Sequence, residues 1–148
     1  MKQKFFTILL LTQVLFAELK VGEKFPNVVL NDQFDKKATI NTKDKIVIMT
    51  FEKSTAHAVT EYLEKKPGKF ISKHKVKYIA DVSSVPSLLF PVFALPKMKK
   101  YPFSVLLIRD DFGKIFNQKE EKVTLYKIVN KKIEEIIFLS PEAFPKFF

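Results

Sequence analysis

The chain has 148 residues, of which 47% are hydrophobic and 28% charged, and it contains no cysteine. This length supports one domain with a sizeable core, and the apolar content excludes an intrinsically disordered chain. The absence of cysteine excludes disulfides, thiolate metal sites and every form of thiol catalysis.

The formal net charge is +10, and Arg109 is the one arginine among 26 basic residues. Specific base or phosphate recognition favours the planar fork of arginine over the point charge of lysine. We therefore exclude nucleic acid as a partner and expect a hydrated, lysine-rich surface. Docking to an anionic membrane surface or to an acidic partner remains an alternative.

The N-terminal segment has the pattern of a secretory signal peptide. Lys2 and Lys4 precede an apolar stretch from Phe5 to Phe16, and Ala17 supplies a small residue before a cleavage site. The stretch is shorter than the roughly 20 residues that a membrane-spanning helix needs. We predict a periplasmic protein cleaved after Ala17, with an uncleaved tether as the alternative, and one mature domain at residues 18–148.

The first half of the mature chain is predicted to form strands and one helix. Val28–Leu30 and Ala38–Ile40 flank a polar turn and favour a small hairpin. The run from Ile46 to Phe51 is almost entirely apolar, which is typical of a strand with helices covering both faces of its sheet. A helix follows from Thr55 to Lys66, and Val76–Ala80 then forms a second buried strand, so that the three make a βαβ unit.

The second half of the chain is interrupted by prolines. Three of them divide the apolar segment Val85–Met98, which predicts two short helices. We predict that the segment Leu88–Leu95 belongs to the core, with an exposed docking face as the alternative. Phe103–Ile108 forms a third buried strand, and a turn with Gly113 available for a positive φ returns the chain at Lys114–Asn117 as its hairpin partner.

The C-terminal segment fits two patterns. Val123–Val129 and Ile133–Leu139 favour a hairpin by β propensity, whereas their apolar spacing also fits one helical face. We prefer the hairpin. Ser140 and Pro141 then predict the start of a short last helix. The phenylalanines that follow form either an exposed apolar peptide that binds other molecules or a helix end that is folded onto the sheet.

In order and spacing, residues 21–118 resemble peroxiredoxin-type and TlpA-type thioredoxin-like proteins. The likeness lies in the entry Val21–Pro26 and the turn Asp32–Lys37, in the strand Lys45–Phe51, and in Tyr101-Pro102-Phe103, which resembles the family's cis-proline before its final hairpin. The resemblance implies an α/β thioredoxin-like fold, a central mixed β-sheet flanked by helices, with an N-terminal β-hairpin extension.

Family members have a cysteine just after the central strand, where this chain has Ser54-Thr55-Ala56-His57. A serine hydroxyl near neutral pH cannot exchange disulfides, so thiol oxidoreductase and peroxidase activities are excluded. The resemblance also implies a groove beside this loop in which an extended partner segment docks. We predict a partner-binding groove formed by Ser54, Thr55, His57, Tyr101 and Pro102.

Each polar candidate has a simpler interpretation. Ser54 and His57 could serve as nucleophile and base, but capping by Ser54 or Thr55 next to an exposed His57 is the preferred explanation. A copper site would need His57 and His74 together with Met49 and Met98, of which Met49 belongs to the predicted core strand. We predict neither a metal site nor a cofactor.

Three functions follow from this pattern. The first is a redox-inactive periplasmic protein that binds a partner protein or a polypeptide segment. The second is a non-thiol enzyme in which His57 is a general base beside a carboxylate such as Glu52 or Asp81. The third is an accessory factor of the cell envelope or the membrane surface. Whether the protein is an enzyme stays open, with a binding role preferred.

Overall fold

Seven strands form one mixed sheet in this computed structural model, which describes residues 18–148. In chain order the strands are β1 (Val29–Asp32), β2 (Lys37–Thr39), β3 (Ile46–Thr50), β4 (Val76–Asp81), β5 (Leu106–Ile108), β6 (Val123–Val129) and β7 (Lys132–Leu139). They lie in the order β2-β1-β5-β4-β3-β6-β7. The predicted leader and its cleavage after Ala17 lie outside the described residues.

β3 is an interior strand of the sheet, and its residues explain that position. It pairs in parallel with β4 on one side and antiparallel with β6 on the other. Val47, Ile48 and Met49 are fully buried although they point to alternate faces. A strand buried on both faces needs this unbroken apolar run.

The helices are short apart from the first. They are α1 (Lys53–Glu64), α2 (Phe70–Lys73) and α3 (Leu95–Met98), and a π-helical turn (Phe90–Ala94) leads directly into α3. The βαβ unit formed by β3, α1 and β4 is confirmed. Among the described residues, no helix is long and apolar enough to cross a membrane.

The sheet separates two cores of different construction. One face packs against α1, the segment that ends in α3, and the C-terminal turn, and it buries Ile48, Tyr78 and Leu125. The other face buries Met49, Ile79 and Tyr126 beneath the entry segment and a 3₁₀ turn. The expectation that helices cover both faces is therefore only half right, because irregular chain covers the second face.

The predicted hairpin of Phe103–Ile108 with Lys114–Asn117 is wrong. β5 pairs in parallel with β4 and antiparallel with β1, so β4 separates it from β3. The chain after β5 forms a 3₁₀ turn (Asp111–Ile115) because the Asp110 carboxylate accepts the Phe112 N–H at 3.0 Å.

Gly113 lies in this 3₁₀ turn, and it is needed there for space. Its φ is not positive, contrary to prediction, since Gly22 is the glycine with a positive φ in the described chain. A Cβ at Gly113 would instead lie 1.8 Å from Asp81 Oδ2 at the end of β4. The glycine thus allows the turn to approach the sheet closely.

Both predicted β-hairpins at the ends of the sheet are confirmed. β1 and β2 pair antiparallel around a turn in which Asp35 has a φ of 60°. β6 and β7 pair antiparallel through Asn130 and Lys131, whose φ values of 49° and 66° suit the two-residue turns of twisted hairpins. The helical alternative for the C-terminal segment is therefore wrong.

The chain end folds back onto α1. The Ser140 hydroxyl accepts the Ala143 N–H at 3.2 Å in a turn, and a 3₁₀ turn then spans Phe144–Lys146 with Ala143 as its N-cap residue. A short last helical turn is therefore present, but the predicted start at Ser140 and Pro141 is wrong. Phe144 is fully buried, with its ring edge-on to Tyr62 at 5.4 Å. The C-terminal phenylalanines thus belong to the domain, as the second of the two interpretations expected.

The segment before α3 does not belong to the core as a whole, contrary to the preferred interpretation. Phe90 is buried, but Leu88, Leu89, Val92 and Phe93 are exposed. Pro91 and Pro96 lie at the first positions of the π-helical turn and of α3, where a proline is tolerated because its missing N–H would have no partner within the helix. One face of this continuous helical segment packs on the sheet, and the other faces solvent.

Candidate functional site

A groove of about 450 Å³ opens where β3 and β4 end. Its walls are the first turns of α1 on one side and the segment Val85–Met98 on the other, and Tyr101 closes its far end. The volume lies within the range of about 300–1,000 Å³ that is usual for binding sites. The groove adjoins the loop where the sequence predicted a partner site.

The floor of the groove is a buried polar pair. The Thr50 hydroxyl and the Tyr78 phenol lie 2.9 Å apart, and both residues are almost fully buried. Burial raises the pKa of Tyr78 well above its ordinary value, and the hydrogen bond to Thr50 only partly opposes this rise. The phenol therefore stays protonated at physiological pH and keeps the floor neutral.

Tyr101 is half-buried, and its ring stacks on Phe103 with centroids 5.1 Å apart. Burial raises the pKa of its phenol, while the nearby Thr60 hydroxyl lowers it. The ring thus packs on the core through Phe103 and also lines the groove. A rigid aromatic side chain of this kind is a common anchor for a binding partner.

His57 lines the groove from α1, and its side chain is 69% exposed. Its Nε2 lies 3.7 Å from Glu61 Oε2, one turn further along the helix. The pKa of Glu61 is lowered mainly by its hydrogen bond with Lys65 and only slightly by His57. Glu61 is therefore a solvated carboxylate that is shared with Lys65 on the outer surface of α1.

The structure brings together two of the five predicted groove residues. His57 and Tyr101 line the groove, whereas Ser54 is exposed beside it. Thr55 is fully buried, and its hydroxyl donates to the Glu52 carbonyl at 3.0 Å. Pro102 lies against Gly68, at the far end of α1.

The prediction that Ser54 or Thr55 caps α1 is wrong. The helix begins at Lys53 with Glu52 as its N-cap residue, so both side chains already lie inside the first turn. A residue inside the helix cannot occupy the extended backbone conformation that a side-chain cap requires.

Pro102 is not a cis-proline, because no peptide bond among the described residues is cis. The strand antiparallel to β3 is β6, and the segment leading into it contains Glu121 and Lys122 in place of a proline. The Glu121 N–H donates to Glu52 Oε1 at 2.9 Å. The loop before β6 is therefore tied to the start of α1 by a hydrogen bond.

The residues considered for copper are spread over the molecule. Met49 is buried in the core opposite α1, and His74 packs edge-on against Phe70 at 4.2 Å, near the start of β4. His57 lies at the other end of the parallel strands. Across residues 18–148, no group of three histidine or carboxylate side chains is arranged to hold a metal ion.

Several lining residues escaped the sequence analysis. Phe93, Lys97 and Met98 form the wall opposite His57. Phe93 belongs to the segment Leu88–Leu95 that was expected to be core, and Met98 was considered only as a copper ligand. The spacing of Phe93 and Lys97, one turn apart, could have indicated a shared exposed face. Thr50 and Tyr78 carry no such signal, because their pairing depends on the alignment of two strands.

Comparison with known proteins identifies the fold. No family model matches the chain, and no curated protein matches its sequence. Among solved structures, the chain is similar to the thioredoxin domain of a thiol-disulfide oxidoreductase from Bacteroides vulgatus, at 19% identity and a TM-score of 0.55, with 88% of this chain and 99% of that chain covered.

Two further structures show the same similarity. Peroxidoxin BcpB from Mycobacterium tuberculosis has 14% identity and a TM-score of 0.56, with 88% of this chain and 94% of that chain covered. A thio-disulfide isomerase from Thermus thermophilus has 17% identity and a TM-score of 0.54, with 87% and 94% covered. All three are similar over most of their length, at identities that define the fold alone.

Proposed function

From a thioredoxin-like fold in a chain with no cysteine, we propose a redox-inactive periplasmic protein that binds a polypeptide segment of a partner protein in the groove of His57 and Tyr101. Disulfide exchange needs a thiolate both to attack and to leave, and no residue of this chain supplies one. Binding is the part of that activity for which no thiol is needed.

One observation supports a binding role most directly, the open groove with a neutral floor. Phe93 and Met98 offer apolar contact on one wall, while Thr60 and His57 offer polar groups on the other. An extended segment with large apolar side chains suits such a surface, since aromatic and apolar anchors dominate peptide affinity. The periplasmic location is part of the proposal and rests on the N-terminal pattern.

The alternative of a non-thiol enzyme receives less support. Glu52 and Asp81 line the groove, but in the described part of the chain neither forms an ion pair with His57. Glu52 accepts the Glu121 N–H, and Asp81 accepts the Ser83 N–H at 3.0 Å. A general base needs a partner that orients its ring, and the exposed Glu61 is a poor one.

The proposal is tested by photocrosslinking in intact cells. A benzophenone amino acid at His57 should capture a partner protein, whereas the same group at Lys65, which is similarly exposed on α1, should not. Tyr101→Ala should reduce the His57 adduct about tenfold or more, as expected for loss of an aromatic anchor.

Tyr62→Ala is the matched control. Tyr62 is also half-buried, but it packs on Phe70 and Phe144, away from the groove. Its loss should leave the adduct intact once protein levels are equalised. Identical adducts from both crosslinker positions, or an equal loss in both tyrosine variants, would contradict binding in the groove.

A further inference from the structure

An exposed apolar patch lies next to the groove, on the helical segment before α3. It consists of Leu88, Leu89, Val92 and Phe93, and Leu88 and Phe93 are 88% and 70% exposed. Leu88 and Leu89 lie in the turn that leads into the π-helical turn, and Val92 and Phe93 lie within it, so four exposed apolar side chains occur within six residues. Apolar patches of this kind mark sites of interaction with proteins or membranes.

Basic residues border this patch, and acidic residues are absent from its stretch of chain. Lys97, Lys99 and Lys100 are exposed on the last turn of the same segment. The Arg109 guanidinium lies 4.1 Å from the ring centroid of Phe90, the buried residue beneath the patch. Between Asp81 and Asp110 the sequence contains no aspartate or glutamate.

We propose that this surface docks the domain onto an anionic lipid bilayer, with the 88–93 patch entering the interface and Lys97, Lys99, Lys100 and Arg109 contacting the headgroups. The choice of occupant follows from charge. Exposed leucine and phenylalanine beside lysine-rich edges are the features of segments that lie in a membrane interface. Lysine suits this role because a lipid surface requires only positive charge, without bidentate geometry.

This surface shares Phe93 and Lys97 with the wall of the polypeptide groove, but the residues chosen for the test belong to one of the two alone. Leu88, Lys99 and Lys100 do not line the groove, whereas Tyr101 and His57 do. Docking through the patch would hold the adjacent groove close to the membrane surface. Failure of one proposal therefore leaves the other open to its own experiment.

The chain contains no tryptophan, so one introduced tryptophan reports on its own surroundings. The full-length Leu88→Trp variant is mixed with vesicles of phosphatidylcholine and phosphatidylglycerol in equal parts. We expect its emission to shift to the blue as the indole enters the interface. Val129→Trp, at an exposed site on the β6–β7 turn, is the matched probe that should not shift.

Charge is tested by Lys99→Ser with Lys100→Ser in the Leu88→Trp background. Binding should weaken about 30-fold, at roughly fivefold per lysine, and should be lost in about 0.5 M salt. Lys24→Ser with Lys132→Ser removes the same charge at the opposite end of the sheet, where both residues are exposed, and should have little effect. All variants share residues 1–17, so the contribution of that segment cancels.

Three results would overturn the proposal. They are an unshifted Leu88→Trp emission at low salt, equal blue shifts at both tryptophan positions, and equal weakening by the two lysine pairs. Equal shifts on pure phosphatidylcholine vesicles would also count against it, because the docking would then not depend on anionic lipid.

Discussion

Gln33 is a buried amide that holds two distant parts of the chain together. Its Nε2 donates to the Phe103 carbonyl at 2.7 Å and to the Met98 carbonyl at 3.3 Å, while its Oε1 accepts the Val105 N–H at 2.8 Å. The segment held in this way carries Tyr101, so the amide positions one end of the groove. Nothing in the local sequence around Gln33 indicates this role.

We expect Gln33→Ala to lower the free energy of unfolding by about 2–4 kcal/mol, because it leaves buried backbone groups without partners. Gln118→Ala removes an exposed glutamine and should change stability by less than about 0.5 kcal/mol. Urea denaturation of both variants measures the difference. Equal stabilities would contradict a structural role for the Gln33 amide.

The C-terminal turn covers one side of α1. The Phe144 and Phe148 rings lie 5.7 Å apart, and both pack against Tyr62. This contact buries apolar surface of α1 that would otherwise face water. Because α1 forms one wall of the groove, the chain end contributes to the site without touching it.

Phe144→Ala should therefore lower the free energy of unfolding by about 3–5 kcal/mol, the usual cost of removing a buried ring. Phe34→Ala, on an exposed ring in the β1–β2 turn, is the control and should change it little. Thermal denaturation of the two variants gives the comparison. Similar melting temperatures would mean that the chain end contributes little to the stability of the domain.

Two buried tyrosines make the stability of the whole molecule depend on pH in the alkaline range. Tyr78 is buried on the α1 face of the sheet and Tyr126 on the opposite face, where its hydroxyl donates to Asn117 Oδ1 at 2.9 Å. Burial raises the pKa of both phenols, and the Thr50 and Asn117 hydrogen bonds oppose this only in part. The folded protein thus holds both protons more strongly than the unfolded chain does.

Because the pKa of each phenol is raised in the folded state, the stability that the two protonated tyrosines contribute is complete below about pH 10, the pKa of a tyrosine in the unfolded chain. This contribution is lost as the pH rises above that value. Each tyrosine should add a slope of about 1.4 kcal/mol per pH unit to the fall in unfolding free energy. Denaturation curves from pH 8 upward measure the slope. Tyr78→Phe should reduce the slope by the contribution of one tyrosine, about 1.4 kcal/mol per pH unit. An unchanged slope would contradict the raised pKa of Tyr78.

Local patterns were enough to predict the elements that local chemistry controls. The apolar run of β3, the amphipathic α1 and the polar turns of both hairpins lie where the sequence indicated, since each depends on neighbouring residues. The same reasoning located His57 on an exposed surface beside the end of β3. It failed for Leu88–Leu95, because an apolar segment looks the same in sequence whether one face or all of it is covered.

Composition and local periodicity were enough to establish the absence of thiol chemistry, the positive charge, the βαβ unit and the two terminal hairpins. Three features became known from the folded chain alone: β4 lies between β3 and β5, β6 lies beside β3, and Pro102 packs against Gly68, away from the groove. Strand order is set by pairing between residues far apart in the chain, and the groove exists only where those strands and α1 meet.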